Sequence, residues 1–182
     1  MATTAHSSVG VYDLDPVHST VQFAVRHVLV STFRGSFSGV DAQLTVGEEA
    51  VALVGRVPVE SISIAEPAEF RDHVVRGADF FDGDRFPAIT FSSTSVELGD
   101  DGSATVSGTL TIRGVSRPVA ARGTYTPPRT DPFGSVRAGL ELRAGIDRRS
   151  WEMTWQMELP DGGDALGWDV EITAQLEFVR AD

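Results

Sequence analysis

The strict alternation of apolar and polar residues near the end of the chain most constrains the fold. In two segments, 136–146 and 168–178, apolar side chains occupy almost every second position. Successive side chains of a β-strand point to opposite faces, so this period predicts strands with one buried face. At about 11 residues each they are roughly twice the usual length and span ~35 Å at ~3.3 Å per residue. The fold must therefore accommodate tall antiparallel strands.

Shorter segments with the same alternation occur through the rest of the chain, separated by turn sequences such as Asp15-Pro16 and Asp100-Asp101-Gly102. About eight strands with hairpin connections indicate a sandwich or an up-and-down barrel. An eight-stranded barrel is wide enough to be filled by side chains or to hold one small ligand. We predict a disordered tail over residues 1–8 and a single all-β domain over 9–182.

One segment, residues 67–87, departs from the strand pattern. Pro67 suits a first helical position and Gly77 suits a helix end, which predicts a short helix. The turn after it contains three phenylalanines, Phe80, Phe81 and Phe86. Such rings leave apolar area in water unless they are covered. We predict that the helix and turn cover one end of the β structure, although ordinary core packing explains the rings equally well.

Three irregularities are expected elsewhere. Residues 27–32 are expected to form a helical turn, and the proline-containing segment 126–134 a loop. The alternation changes phase at Val40, which predicts a bulge or a strong bend near Gly39.

Several blocks of sequence occur in an informative order. The blocks are Asp15-Pro16-Val17-His18-Ser19, His73 with Asp79-Phe80-Phe81-Asp82, Phe86-Pro87-Ala88-Ile89-Thr90-Phe91, and Gly108–Val115 with Pro118-Val119. In this order they resemble the YceI-like family of polyisoprenoid-binding proteins over roughly residues 11–179. The resemblance implies an antiparallel lipocalin-like barrel with an apolar lipid as its ligand.

The apolar faces mix small and bulky residues, which bears on whether the barrel is hollow. The small residues are Gly35, Gly39, Ala104, Gly108, Ala121, Ala138, Ala144 and Ala174. Such a mixture leaves room for a hydrocarbon chain along the barrel. Alternatively, small residues on one strand face large ones on the next and give a solid core. The pattern leaves both open, and the family resemblance favours the hollow barrel.

Residues 151–159 form a second candidate surface. Tryptophan, methionine and leucine alternate there with polar residues, at Trp151, Met153, Trp155, Met157 and Leu159. Tryptophan offers a large rigid contact area and methionine an adaptable one, as a ligand surface requires. A dimer contact or plain packing explains this face equally well, so a homodimer is left open.

The predicted ligand contacts combine bulky inward residues with this face. They are Phe23, Val25, Phe37, Phe91, Leu110, Leu140, Leu142, Trp151, Met153, Trp155 and Leu176. The predicted ligand is a polyisoprenoid, an isoprenoid quinone or a fatty acyl derivative, held for storage, transport or sensing. We predict no catalytic residue, no metal ligand and no required cofactor.

Two alternative functions use other features of the sequence. A jelly-roll-type metalloprotein or enzyme would use His18, His27 and His73, which lack the close spacing of known metal motifs. A solid-cored, dimeric interaction module would use the Trp/Met face. Arg148 and Arg149 are interpreted as a solvated pair at a strand end rather than as a contact for a lipid head group.

The charge balance excludes several partners. The chain has 15 Lys and Arg against 26 Asp and Glu, a net charge of −11. Nucleic acid is not expected, because phosphate binding needs clustered cations. The chain has no cysteine, so thiol chemistry is excluded. With no long apolar run and no signal-peptide pattern at the N-terminus, we predict no stable membrane insertion and a cytoplasmic location.

Overall fold

The β-strands form one continuous antiparallel sheet of ten strands in the computed structural model, which describes residues 8–181. The strands are β1 Gly10–Leu14, β2 Thr20–His27, β3 Ser31–Phe37, β4 Asp41–Val46, β5 Val51–Pro58, β6 Ala88–Leu98, β7 Ser103–Ile112, β8 Val115–Thr130, β9 Val136–Asp147 and β10 Leu166–Arg180. One α-helix, α1 Ala68–Arg76, lies between β5 and β6, and short 3-10 helices span Val59–Ser61 and Arg148–Trp151. The predicted disordered tail lies outside the described residues except at Ser8, whose carbonyl accepts a hydrogen bond from the Tyr12 hydroxyl at 2.9 Å.

Eight of the strands close into a barrel, because β1 pairs with both β4 and β10. From β4 to β10 the neighbours follow one another around the barrel, with β2 and β3 outside this run. This confirms the predicted all-β fold of about eight antiparallel strands with a short covering helix.

The β2–β3 hairpin extends the wall at one end of the barrel. The long strand β10 pairs with β1 near its C-terminus and with β2 over its preceding part. Phe37 of β3 then forms a bridge to Ile62, and the Ser63 amide donates to the Ser36 carbonyl at 2.8 Å. Gly39, with a φ of 69°, lies where the chain leaves this hairpin for β4. The change of phase in the apolar alternation at Val40 therefore marks a change of neighbouring strand.

The helix ends differ in detail from the prediction. Pro67 is the N-cap of α1 rather than its first residue, and Gly77 ends the helix with a φ of −57° rather than in the left-handed region. The following turn folds back on the helix, where the Gly83 amide donates to the Val75 carbonyl at 2.7 Å. A Cβ at Gly83 would lie 2.8 Å from that carbonyl oxygen, so glycine permits the close approach.

Of two predictions of irregular structure, one was wrong and the other was wrong in part. Residues 28–30 form a reverse turn between β2 and β3, in which Val28 and Leu29 have φ values of 42° and 59°. A helical turn would require negative φ. The predicted loop 126–134 was wrong for residues 126–130, where strand β8 continues to Thr130 with a shift of register between Thr126 and Arg129, and right for residues 131–134, which lie in the loop before β9.

Two clusters of buried residues divide the interior. The first packs one end of the barrel solidly, and we call this the filled end; it includes Tyr12, Leu44, Ala138, Leu140 and Phe178. The second lies beneath α1 at the opposite, covered end and includes Val74, Val75, Phe80, Trp151 and Met153. Within the described residues, no helix has the length and apolar character needed to cross a membrane.

Candidate ligand-binding site

A cavity inside the barrel, which we call the deep cavity, lies next to the filled end. It has a volume of about 160 Å³ and an almost wholly apolar surface. Its wall contains the small residues Ala121, Ala144 and Ala174, which alternation had placed on the inward face. Bulky side chains at these positions would occupy the space that is open here.

A second cavity, which we call the outer cavity, lies beneath α1 at the covered end. Its volume is also about 160 Å³, and its surface is again almost wholly apolar. Phe80 and Phe81 from the turn after α1 line it, together with Val74 of the helix. Two other lining residues, His27 and Phe70, are exposed to solvent, so this cavity reaches the protein surface between β2 and α1.

The two cavities adjoin. Ile89 on β6 and Ile172 on β10 line both of them. The cavities therefore lie next to each other between the surface beside α1 and the filled end, with these two isoleucines at their border.

Most of the predicted contact residues line the two cavities. Phe91, Leu110, Leu142 and Leu176 line the deep cavity. Phe23, Val25, Phe37, Met153 and Trp155 line the outer cavity. Leu140 and Trp151 are buried but line neither cavity: Leu140 belongs to the filled end, and the Trp151 indole donates to the Leu110 carbonyl at 3.1 Å. Whether a ligand contacts these side chains stays a prediction.

Sequence reasoning missed the two isoleucines that border both cavities. Ile89 is in phase with Phe91 on β6, and Ile172 is in phase with Leu176 on β10. The same alternation that selected Phe91 and Leu176 could therefore have found them.

Both interpretations of the small inward residues hold, at different places. A Cβ at Gly35 would overlap the Phe23 ring, and one at Gly108 would overlap the Phe91 ring. Large neighbouring rings fill the space beside these glycines, as in a solid core. Ala144 instead faces the deep cavity.

Aromatic packing joins the covering turn to the segment 152–165, which we call the flap. The Trp155 ring stacks on Phe80 with a centroid distance of 5.4 Å, and its amide donates to the Asp79 carbonyl at 3.1 Å. His73 of α1 packs edge-on against Phe80 at 5.3 Å and pairs with the Asp79 carboxylate at 2.9 Å. The flap and the covering turn therefore close the end of the barrel together.

Arg113, in the turn between β7 and β8, also ties these two segments together. Its guanidinium donates to the Ala78 carbonyl at 2.6 Å and to the Trp151 carbonyl at 3.3 Å. A further hydrogen bond goes to the Glu152 carbonyl. No pattern in the sequence distinguished this arginine.

The interpretation of Arg148 and Arg149 as a solvated pair was wrong for Arg148, which is buried. Its guanidinium donates to the carbonyls of Met153, Leu166 and Gly167 at 2.7, 3.2 and 2.8 Å. It also lies 4.2 Å from the centroid of the Trp168 ring. Burial lowers the pKa of Arg148 from its ordinary value, although an arginine stays charged.

Arg149 is exposed, as expected for a solvated residue, and pairs with the Asp147 carboxylate at 2.6 Å. The hydrogen bond from Arg149 lowers the pKa of Asp147.

The Trp/Met face is not a continuous strand face. Trp151 and Met153 are buried, Trp155 is half-buried and Met157 is 62% exposed. The inward residues pack against the covered end, so most of this face is unavailable as a dimer contact.

The three histidines have separate environments. His27 lies at the surface opening of the outer cavity, and His73 pairs with Asp79. Among residues 8–181, the one group of His, Asp and Glu close enough to hold a metal ion consists of Asp15, His18 and Glu177.

Arg137 occupies the centre of that group. Its guanidinium donates to Asp15 at 2.7 Å, to Glu177 at 2.5 Å and to Asp131 at 2.8 Å. These hydrogen bonds hold the pKa of Asp15 and of Asp131 below the ordinary range. A cation already pairs with all three carboxylates and occupies the space between them, which disfavours a metal ion there.

Comparison with known proteins gives matches over nearly the whole chain. The sequence model of the YceI-like domain matches residues 12–178. A UPF0312 protein of Yersinia enterocolitica is 32% identical over 182 residues, which cover 98% of this chain and 91% of that relative.

Solved structures show the same fold at low identity. BcnA of Burkholderia cenocepacia has a TM-score of 0.73 at 20% identity, covering 91% of this chain and 99% of BcnA. A polyisoprenoid-binding domain from Saccharophagus degradans has a TM-score of 0.64 at 13% identity, covering 93% of this chain and 98% of that domain.

Proposed function

The chain belongs to the YceI-like family, as its sequence blocks indicated, and on that premise we propose that it binds an apolar lipid inside the barrel without catalysing a reaction. The ligand is a polyisoprenoid, an isoprenoid quinone or a fatty acyl derivative. The observation that carries the proposal is the pair of adjoining cavities with apolar walls. The name of the Saccharophagus degradans domain, a polyisoprenoid-binding domain, supports the same class of ligand.

The composition of the cavity walls supports binding rather than catalysis. Among the described residues that line the cavities, those with a titratable side chain are Arg56, His27 and Arg148. None of them is a carboxylate, and each guanidinium nitrogen of Arg148 donates to a backbone carbonyl. General acid–base chemistry needs a positioned group within hydrogen-bond reach of the substrate, and these walls offer little beyond His27.

The size of the cavities limits how much lipid they bury. A cavity of about 150 Å³ holds a six-carbon ring, so the two cavities together hold about 12 carbons. At ~0.8 kcal/mol per buried methylene, 12 carbons contribute about 10 kcal/mol. Association itself costs roughly 4–15 kcal/mol. Because the two energies are of similar size, each buried carbon has a large effect on the net affinity.

Organic extraction of the purified protein, followed by mass spectrometry, tests the proposal. We expect to recover a lipid with a long apolar chain in near-stoichiometric amount, and to see the extracted protein bind farnesol or a prenyl quinone. Recovery of no lipid, together with no binding of either compound, would refute it.

The cytoplasmic location and the homodimer remain predictions. Immunoblotting of cell fractions tests the first, and sedimentation of the purified protein tests the second.

A further inference from the structure

The deep cavity ends at a defined step of the ladder between β9 and β10. Facing pairs of residues along this ladder are Ala144–Ile172, Leu142–Ala174, Leu140–Leu176 and Ala138–Phe178. Both members of the first two pairs line the cavity. Of the third pair only Leu176 lines it, and of the fourth pair neither residue does. The open space therefore stops at Leu140.

The opposite wall also has a defined limit. Leu44 of β4 faces Leu53 of β5, and Leu53 lines the deep cavity whereas Leu44 does not. Leu44 also faces Tyr12 of β1. We call Leu44, Leu140, Tyr12 and Phe178 the floor of the cavity, and each is at most 1% exposed. Such close packing leaves no path for a ligand beyond them.

The other end of the space is open. The outer cavity reaches the surface beside His27 and Phe70, and it adjoins the deep cavity at Ile89 and Ile172. Exposed residues of β5 and β6, namely Val54, Arg56 and Thr90, also line the side of the deep cavity, but the end at the floor is closed. A hydrocarbon chain that enters beside α1 would therefore enter with its tail first. Its head group would remain near the opening, and its tail would stop at the floor.

We propose that the floor sets the length of hydrocarbon chain that the site takes, with Leu140 as the residue that determines this length. The ligand is a single-chain lipid, and about 12 carbons at its tail end fill the two cavities. This inference rests on the proposed function. Each methylene added within the cavities raises the affinity about fourfold, and carbons added beyond this length remain outside and add little.

The test measures the affinity of the extracted protein for straight-chain primary alcohols of about 8 to 18 carbons, by displacement of a fluorescent apolar dye. For the unmodified protein we expect the affinity to rise with each carbon and to level off at about 12 carbons. Leu140→Ala removes three side-chain carbons from the floor and should move this limit to about 15 carbons.

Leu142→Ala is the matched control. It makes the same change on the same strand, but in the side wall of the deep cavity. It widens the deep cavity without lengthening it, so it should lower the affinity for all chain lengths through lost contacts while the limit stays at about 12 carbons. An equal shift of the limit in both variants would overturn the assignment to Leu140.

A second variant tests the floor in the opposite direction and does not depend on the stability of Leu140→Ala. Leu176→Phe adds three carbons directly above the floor and should lower the limit to about 9 carbons. A limit that moves in neither variant would overturn the proposal about the floor while leaving lipid binding intact. Failure of every alcohol to bind the unmodified protein would instead refute the proposed function.

Discussion

Filling the deep cavity should strengthen the fold and weaken lipid binding at once. Ala174 of β10 lines this cavity and faces Leu142 on one neighbouring strand and Val21 on the other. Ala174→Leu adds three carbons to a space of about 160 Å³. At ~0.8 kcal/mol per methylene, the ligand loses about 2.4 kcal/mol of burial, which corresponds to an affinity about 50-fold lower.

The same three carbons should raise the free energy of unfolding of the ligand-free protein by about 1–2 kcal/mol, because they fill space that is otherwise empty. In a solid core the change would instead cost about 1–3 kcal/mol through overpacking. The sign of the stability change therefore distinguishes a hollow barrel from a filled one.

Urea unfolding after lipid extraction measures this sign, since bound lipid would itself stabilise the native state. Ala138→Leu is the matched control: Ala138 faces Phe178 in the filled end and is 4% exposed. We expect it to lower the free energy of unfolding by about 1–3 kcal/mol. If Ala174→Leu destabilised the protein as much as Ala138→Leu does, the deep cavity would not be open in solution.

Two further predictions concern the arginines. Arg148→Gln should lower the free energy of unfolding by about 2–4 kcal/mol, because buried carbonyls lose their donors. Arg149→Gln, at the exposed neighbouring residue, should lower it by less than about 1 kcal/mol. Similar urea midpoints for the two variants would contradict the role given to Arg148. Arg137 holds the pKa of Asp15 and of Asp131 low. Its contribution to the free energy of unfolding is therefore fully present above pH ~4 and is lost as the pH falls through the lowered pKa values. The stability difference between Arg137→Gln and the unmodified protein should therefore shrink from pH 7 to pH 3, and a constant difference would disprove the pairing.

The alternation in the sequence predicted which side of each strand is buried, but not which strands are neighbours. Apolar residues recur with a period of two in β9, from Val136 to Ile146, and in β10, from Trp168 to Phe178. The reason is that a pleated strand presents alternate residues to one core. The pairing of β2 with β10 rather than with β1 depends on contacts between segments about 150 residues apart. A local sequence pattern does not indicate such contacts.

The contents of the barrel could be predicted only in part, for the same reason. Gly108 and Ala144 are both small and both were placed on an apolar face. The Phe91 ring fills the space beside Gly108, whereas Ala144 borders open space. The difference arises from the side chains on facing strands and therefore requires the register. The burial of Arg148 was missed likewise, since it depends on the flap folding back over it.

The bonding of Arg148 explains why specificity in this site should lie along the chain of the ligand rather than at its head. A guanidinium in a cavity wall would ordinarily recognise an anionic or carbonyl head group. Here every guanidinium nitrogen already donates to a backbone carbonyl of the flap or of β10. These bonds use three of its five N–H groups, and a head group that displaced one of them would leave a buried carbonyl unpaired, at a cost of about 1–3 kcal/mol. Because Arg148 is buried and held by three carbonyls, we expect the walls to select mainly for apolar length, and we propose that the floor at Leu140 sets where that length ends.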